Sequence, residues 1–205
     1  MVMLRPNKAM VPGNERPAFT LAVRNGGVKP ENLMISGISA SQAVKGKQQQ
    51  VRLYRYEELV QEEQTRQAWL AFGAALGGVG RAMSASNAGY VTTTGSVQGY
   101  GRYGSTYGTY SATTYDPLRA QIAQQNAAAE TEADFAAIRA SGEQSLAKLQ
   151  MTILKDNTVM PGEWIGGTIV LAPPEYADQS PSTSYSVTVN FGGELHEFTI
   201  AHRKM

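Results

Sequence analysis

The feature that most constrains this chain is a change of hydrophobic period, from two to helical and back to two. Near the N-terminus Phe19, Leu21 and Val23 alternate with Thr20, Ala22 and Arg24, the mark of a half-buried strand ended by Asn25-Gly26-Gly27. Leu33 and Ile35 continue that alternation, Val51 to Tyr54 reads as a further strand, and Met1 to Arg5 reads as a short edge strand stopped by Pro6. Near the C-terminus Met160-Pro161-Gly162-Glu163 predicts a type II turn, because proline pre-sets the first central residue and glycine supplies positive φ at the second. Trp164 to Leu171 then reads as a strand ended by Pro173 and Pro174, with a polar loop through Gln179, Ser180 and Pro181. Gly192-Gly193 predicts a two-residue hairpin setting Val189 opposite His196, Val187 opposite Phe198, Tyr185 opposite Ile200, Thr188 opposite Glu197 and Ser186 opposite Thr199. That register puts the apolar residues of both strands on one face.

Between these β regions the pattern is helical. Glu57-Glu58 suit a helix N-terminus, and residues 57 to 87 contain no proline. Asp116 predicts a cap for a second helix, with Pro117 at its first position, running to about Gln150. At 1.5 Å per residue the two would be roughly 45 and 50 Å long, matched for an antiparallel hairpin. Phe135 and Leu146, and Ile138 and Leu149, recur eleven apart, the spacing of a nearly straight stripe, interrupted only by Gly142. The expected fold is therefore α+β: residues 1-56 plus 151-205 form an immunoglobulin-like antiparallel β-sandwich, and 57-150 form a long inserted α-helical hairpin with a tip at 88-115. Two separate β units flanking the helices are the alternative, but each would have too few strands to stand alone.

Composition matters where it is uneven. Charged residues are 17% of the 205 and the net charge is +1, so no overall field points to nucleic acid, acidic ligands or an anionic membrane. There is no cysteine, which excludes disulfides, thiolate metal sites and cysteine nucleophiles. The charge shortage is local: Ala68 to Gly80 carries none, and residues 82 to 115 carry only Arg102. Met-Val-Met-Leu-Arg-Pro shows no charged n-region followed by an apolar segment, so a secretory signal was never present or has been removed.

Within that stretch Gly73 and Gly77 have GxxxG spacing, beside Trp69, Phe72 and Gly80. Small residues one turn apart permit close helix approach, either to Ala120, Ala123 and Ala127 of the second helix or to another copy or a membrane. Thirteen uncharged residues fall short of the ~20 needed to span a bilayer. Residues 90 to 115 hold six of the ten tyrosines, Tyr90, Tyr100, Tyr103, Tyr107, Tyr110 and Tyr115. Three readings stand: a flexible Gly/Ser/Thr loop, a self-associating or RNA-associated low-complexity segment, and a β-hairpin. In the last, Tyr90 to Gly99 and Thr106 to Tyr115 match the ~9 to 11 residues of a transmembrane strand, with Thr, Ser and Gln facing water and Val, Ala, Gly and Tyr facing lipid or protein. Tyr90 and Tyr115 would form one aromatic girdle and Tyr100, Tyr103 and Tyr107 another, and several copies would have to close a shared barrel.

Enzyme signals are weak. Gly99-Tyr100-Gly101-Arg102-Tyr103-Gly104 matches GxGxxG but lacks the immediately following helix that a dinucleotide requires. His196 and His202, six apart on one strand, lie roughly 20 Å from each other and cannot share a metal. Glu194, His196 and Glu197 would matter only if a pocket gathered them; Glu62 pairs with Arg66 on a solvated face, and Trp164 reads as a core or corner residue. No catalytic residue, cofactor or metal ligand is expected.

The segments VRNGGVKP (23 to 30), WLAFGAALGGVGRAMSA (69 to 85), NTVMPGEWIGGTIVL (157 to 171) and FGGELHEFTI (191 to 200), taken in order with the Tyr/Gly segment, resemble uncharacterised bacterial envelope proteins and lipoproteins. In these an immunoglobulin-like frame is interrupted by a Gly/Ala-rich helical pair. The resemblance implies a non-enzymatic structural or assembly component, a homo-oligomer touching membrane or other envelope proteins, in the periplasm or at the outer membrane. The alternative is a soluble adaptor or ligand-binding sandwich whose insertion is a spacer.

Overall fold

The computed structural model describes residues 1–8, 10–11, 15–44, 47–173 and 182–204, so Pro174 and the loop through Gln179, Ser180 and Pro181 lie outside the described residues. In chain order the elements are β1 (Val2–Pro6), β2 (Met10–Val11), β3 (Ala18–Arg24), β4 (Glu31–Leu33), a 3-10 turn (Ile35–Gly37), β5 (Ile38–Val44), β6 (Lys47–Val51) and β7 (Leu53–Tyr54). Then come α1 (Tyr56–Asn87), β8 (Tyr90–Gly101), β9 (Gly104–Tyr115), α2 (Pro117–Thr152), β10 (Asn157–Val159), β11 (Trp164–Leu171), β12 (Ser182–Phe191) and β13 (Glu194–Lys204). The chain is α+β, with two long helices and largely antiparallel sheets, and it divides into two compact units, Met1–Glu63 with Ser145–Met205, and Gln64–Gln144.

The first unit holds a four-stranded sheet, β1-β3-β11-β7, a five-stranded sheet, β2-β13-β12-β5-β6, and the short pair β10-β4. Alternation along each strand sends one set of side chains to a shared core: Phe19, Leu21 and Val23 of β3, Ile169 and Leu171 of β11, Ile38 and Ala40 of β5, and Tyr185, Val187, Val189 and Phe191 of β12. Phe19 and Tyr185 meet edge to face across the two larger sheets with ring centroids 6.0 Å apart. The β12–β13 register is the expected one, Val189 opposite His196 through Tyr185 opposite Ile200, about a turn in which Gly192 and Gly193 have φ of 63° and 77°. Gly162 has φ 82° and the Glu163 amide donates to the Met160 carbonyl at 3.1 Å, the expected type II turn. Asn25 ties that turn down: its side chain is buried, donates to the Lys29 and Val159 carbonyls and accepts from the Gly27 amide.

Several local expectations are corrected. The alternation from Leu33 breaks at Ile35, which opens the 3-10 turn, and a fresh strand, β5, begins at Ile38. Val51 to Tyr54 is two strand ends that pair in different sheets, β6 with β5 and β7 with β11, separated at Arg52. Trp164 is 47% exposed at the outer start of β11, so it is no core residue. The double glycine of β11 instead admits close neighbours: a Cβ at Gly167 would lie 2.8 Å from the Leu154 backbone, where the chain leaving α2 runs parallel beside the strand and Ile153 bridges to Thr168.

Two local devices set the helix starts. The Glu58 carboxylate accepts from the Arg55 amide at 2.9 Å, half of a capping box, and Asp116 Oδ1 accepts from the Leu118 and Arg119 amides at 3.0 and 3.1 Å. Glu62 is engaged by Arg16, whose two terminal nitrogens grip its carboxylate, rather than serving only as the expected partner of Arg66.

Candidate functional site

In the unit Gln64–Gln144 the two helices run antiparallel, residue numbers rising on one as they fall on the other. Gly142 sits against Gln67, Gly78 against Thr131, and Gly89 against Ala120 and the Tyr115 ring. These glycines make the close approach. Gly73, Gly77 and Gly80 do not, because a Cβ at any of them would meet nothing within 4 Å. The GxxxG spacing is real, but its phase turns it away from the second helix, which corrects the expectation of a Gly73–Gly77 contact with Ala120, Ala123 and Ala127. At about 100° per residue, Leu76 lies roughly 160° around α1 from Gly78.

That outward side of α1 is apolar. Trp69, Phe72, Leu76, Val79 and Met83, at alternating spacings of three and four, are all exposed. Trp69 and Phe72 touch edge to face, ring centroids 6.1 Å apart. Arg81, the one charged residue from Ala68 to Gly101, turns the other way and pairs with Asp134 at 2.8 Å and Glu130 at 3.5 Å on α2. The outward stripe therefore carries no charge. On the adjoining side, Ala75, Gly78, Val79 and Ala82 with Ala127, Ala128 and Phe135 line an apolar groove of about 580 Å³.

Residues 90 to 115 form the β-hairpin, which displaces the flexible-loop reading. Strands β8 and β9 are 12 residues each, paired from Tyr90–Tyr115 to Gly101–Gly104 about Arg102-Tyr103, with Gly104 at φ 128°. The GxGxxG match is therefore a strand–turn–strand, without the helix N-terminus a pyrophosphate needs. Both faces are largely exposed, and among the described residues β8 and β9 pair only with each other.

Period-two alternation makes the two faces unlike. Thr92, Thr94, Ser96 and Gln98 share one with Thr113, Ser111 and Thr109; Val91, Gly95, Val97 and Gly99 share the other with Ala112, Tyr110 and Gly108. The expected separation of hydroxyls from small apolar residues is only partial, because Thr93, Thr106 and Thr114 lie on the small-residue face. The tyrosines are placed differently from the expected girdles. Tyr90, Tyr100, Tyr107 and Tyr115 lie on the hydroxyl face, at its two ends, with Tyr90 and Tyr115 rings 5.0 Å apart. Tyr110 is on the small-residue face, where its ring covers Gly95, and Tyr103 stands in the turn, fully exposed.

In the first unit Glu194 and His196 line a pocket of about 320 Å³, their side chains 3.8 Å apart, but Glu197 has the opposite strand parity, so the three are not gathered. Among the described residues no group of three or more His, Asp or Glu side chains is placed to hold a metal, and no helix is long and apolar enough to cross a membrane, which leaves strands untouched. Compared with known proteins, the chain matches no family model, no curated protein and no solved structure.

Proposed function

We propose that this chain is a non-enzymatic structural or assembly component of a bacterial envelope, periplasmic or outer-membrane-associated, whose unit Gln64–Gln144 joins copies of itself. In this reading the first unit is an immunoglobulin-like sandwich. The hairpins of several copies pair edge to edge and close a shared barrel that enters the membrane. The observation that carries the reading is the hairpin: two 12-residue strands, uncharged apart from Arg102 in the turn, with open edges and exposed faces. A two-stranded ribbon is marginal in water, an open edge is a template for another strand, and in lipid every edge must close. At two strands per copy, about four copies would give a side-chain-filled barrel of about eight strands, and about eight copies would supply the roughly 16 strands that leave an aqueous channel.

The stripe Trp69, Phe72, Leu76, Val79 and Met83, with Gly73, Gly77 and Gly80 beside it, supplies a second contact suited to a neighbouring copy. Light scattering and vesicle flotation of the intact chain and of a chain lacking 90–115 test this. The expected result is an assembly that binds vesicles and is lost on deletion. Identical monomers that both ignore vesicles would refute it.

A further inference from the structure

In a closed assembly the two faces of the hairpin would meet different surroundings. Its hydroxyl face offers Thr94, Ser96 and Gln98 beside Thr109, Ser111 and Thr113, none of them ionisable. The nearby pair Thr92 and Thr113 already shares a hydrogen bond of 3.2 Å between hydroxyls. Its opposite face is built from Val91, Val97, Ala112, Tyr110 and glycines, with Thr93, Thr106 and Thr114 among them. When such a ribbon closes with copies of itself in lipid, the face richer in glycine, valine and alanine turns outward and the face richer in hydroxyls turns inward, toward water.

Resting on the reading above, we propose that the hydroxyl face is the wall of an aqueous passage that admits small uncharged hydrophilic solutes and does not sort ions by sign. Symmetry turns each residue of one copy into a ring. Pores that select ions by sign do so with rings of charged side chains, and here the rings along the strands are Thr, Ser and Gln. Hydroxyls and amides can donate and accept, so they replace the hydration of a sugar-like solute without preferring a cation or an anion. At the two ends of the same face, Tyr90 with Tyr115 and Tyr100 with Tyr107 add rings of phenols that narrow the mouths while remaining neutral. The one charge, Arg102, sits in the turn beyond the strand ends, where about 10 Å of Debye screening at 0.1 M salt limits its reach into the passage.

The absence of cysteine makes the test direct. Full-length single-cysteine variants place a thiol on the hydroxyl face (Thr94→Cys, Ser96→Cys, Ser111→Cys) or on the small-residue face (Thr93→Cys, Val97→Cys, Ala112→Cys). Each is reconstituted in phosphatidylethanolamine/phosphatidylglycerol vesicles, and disaccharide entry and the reversal potential in a KCl gradient are read before and after a membrane-impermeant thiol reagent.

The expected results are disaccharide entry, potassium and chloride permeabilities of the same order, and a block from the three hydroxyl-face thiols alone. Any residual anion preference should disappear in Arg102→Gln. Block from the small-residue face, strong charge selectivity that survives Arg102→Gln, or vesicles that bind the assembly yet exclude the sugar would overturn the inference while leaving the shared barrel standing. A chain that neither assembles nor binds vesicles would remove both.

Discussion

Replacing glycines of α1 by alanine separates the two sides of that helix in a single experiment. An interior helical glycine costs about 0.8–1.0 kcal/mol relative to alanine. Gly73, Gly77 and Gly80 have open space where a Cβ would go, so alanine at all three should stabilise dilute protein by about 2.5–3 kcal/mol. Gly78 faces the second helix, and a Cβ there would lie 2.7 Å from Thr131 Cγ2 and 3.0 Å from its Oγ1. Thr131 cannot swing aside freely, because its hydroxyl donates to the Ala127 carbonyl at 2.8 Å. Overpacking of about 1–3 kcal/mol should therefore cancel or exceed the helical gain, leaving Gly78→Ala between neutral and about 2 kcal/mol destabilised. Urea unfolding followed by far-ultraviolet circular dichroism, at concentrations too low for association, reads both changes. Equal stabilisation from Gly77→Ala and Gly78→Ala would refute the helix register. If the outer glycines also meet a neighbouring copy, the triple alanine variant should assemble less well even as its dilute stability rises, two opposite signs that a bare solvent face cannot produce.

Three other outcomes are expected. Gly167→Ala should lower stability by about 1–3 kcal/mol in urea unfolding, because its Cβ would strike the Leu154 backbone, held in place by a 3.0 Å bond from the Leu154 amide to the Thr168 carbonyl. Asn25→Ala should cost about 1–3 kcal/mol by the same assay, since the buried Val159 carbonyl loses its 2.9 Å side-chain donor. The start of α1 should loosen in acid: the Arg55 amide and then Arg52 hold the Glu58 carboxyl below its ordinary 4.5, and Arg16 does the same for Glu62. A depressed folded pKa contributes stability above the unfolded value that is lost as pH falls through the folded one, so amide exchange at Leu59 should quicken below about pH 4.5, and less so in Glu58→Gln.

Features written in adjacent residues were readable from sequence. Pro161-Gly162, Gly192-Gly193 and Asp116-Pro117 each prescribe backbone torsions or a cap on the spot, and a fixed turn then propagates its register along ten residues of β12 and β13. Features that depend on a distant partner were not. Gln42 is buried at an inward position of β5, which hides that strand from a search for apolar alternation. GxxxG spacing defines a flat helix surface without saying which neighbour it meets, and only the position of Thr131 assigns that role to Gly78. The tyrosine faces follow strand parity, which sets Tyr90 on the side of Thr92, and the distance of a ring from the turn carries no information about its face.

The amphipathic sense of α1 is the reverse of what its own unit would require. Its inner side meets α2 through Gln67, Gly78 and Arg81, while the side chains worth burying point out, 56–69% exposed across Trp69, Phe72, Leu76, Val79 and Met83. Full burial of one such side chain is worth about 1.5–3 kcal/mol, so covering the exposed portion of five would contribute roughly 5–9 kcal/mol per stripe. Association costs about 4–15 kcal/mol in lost freedom before any surplus shows as affinity. The stripe is thus near break-even alone, enough to align copies and too little to hold them. If copies assemble as proposed, the surplus has to come from the backbone donors and acceptors along the open edges of β8 and β9, and removing residues 90–115, with the stripe left in place, should then be sufficient to abolish assembly.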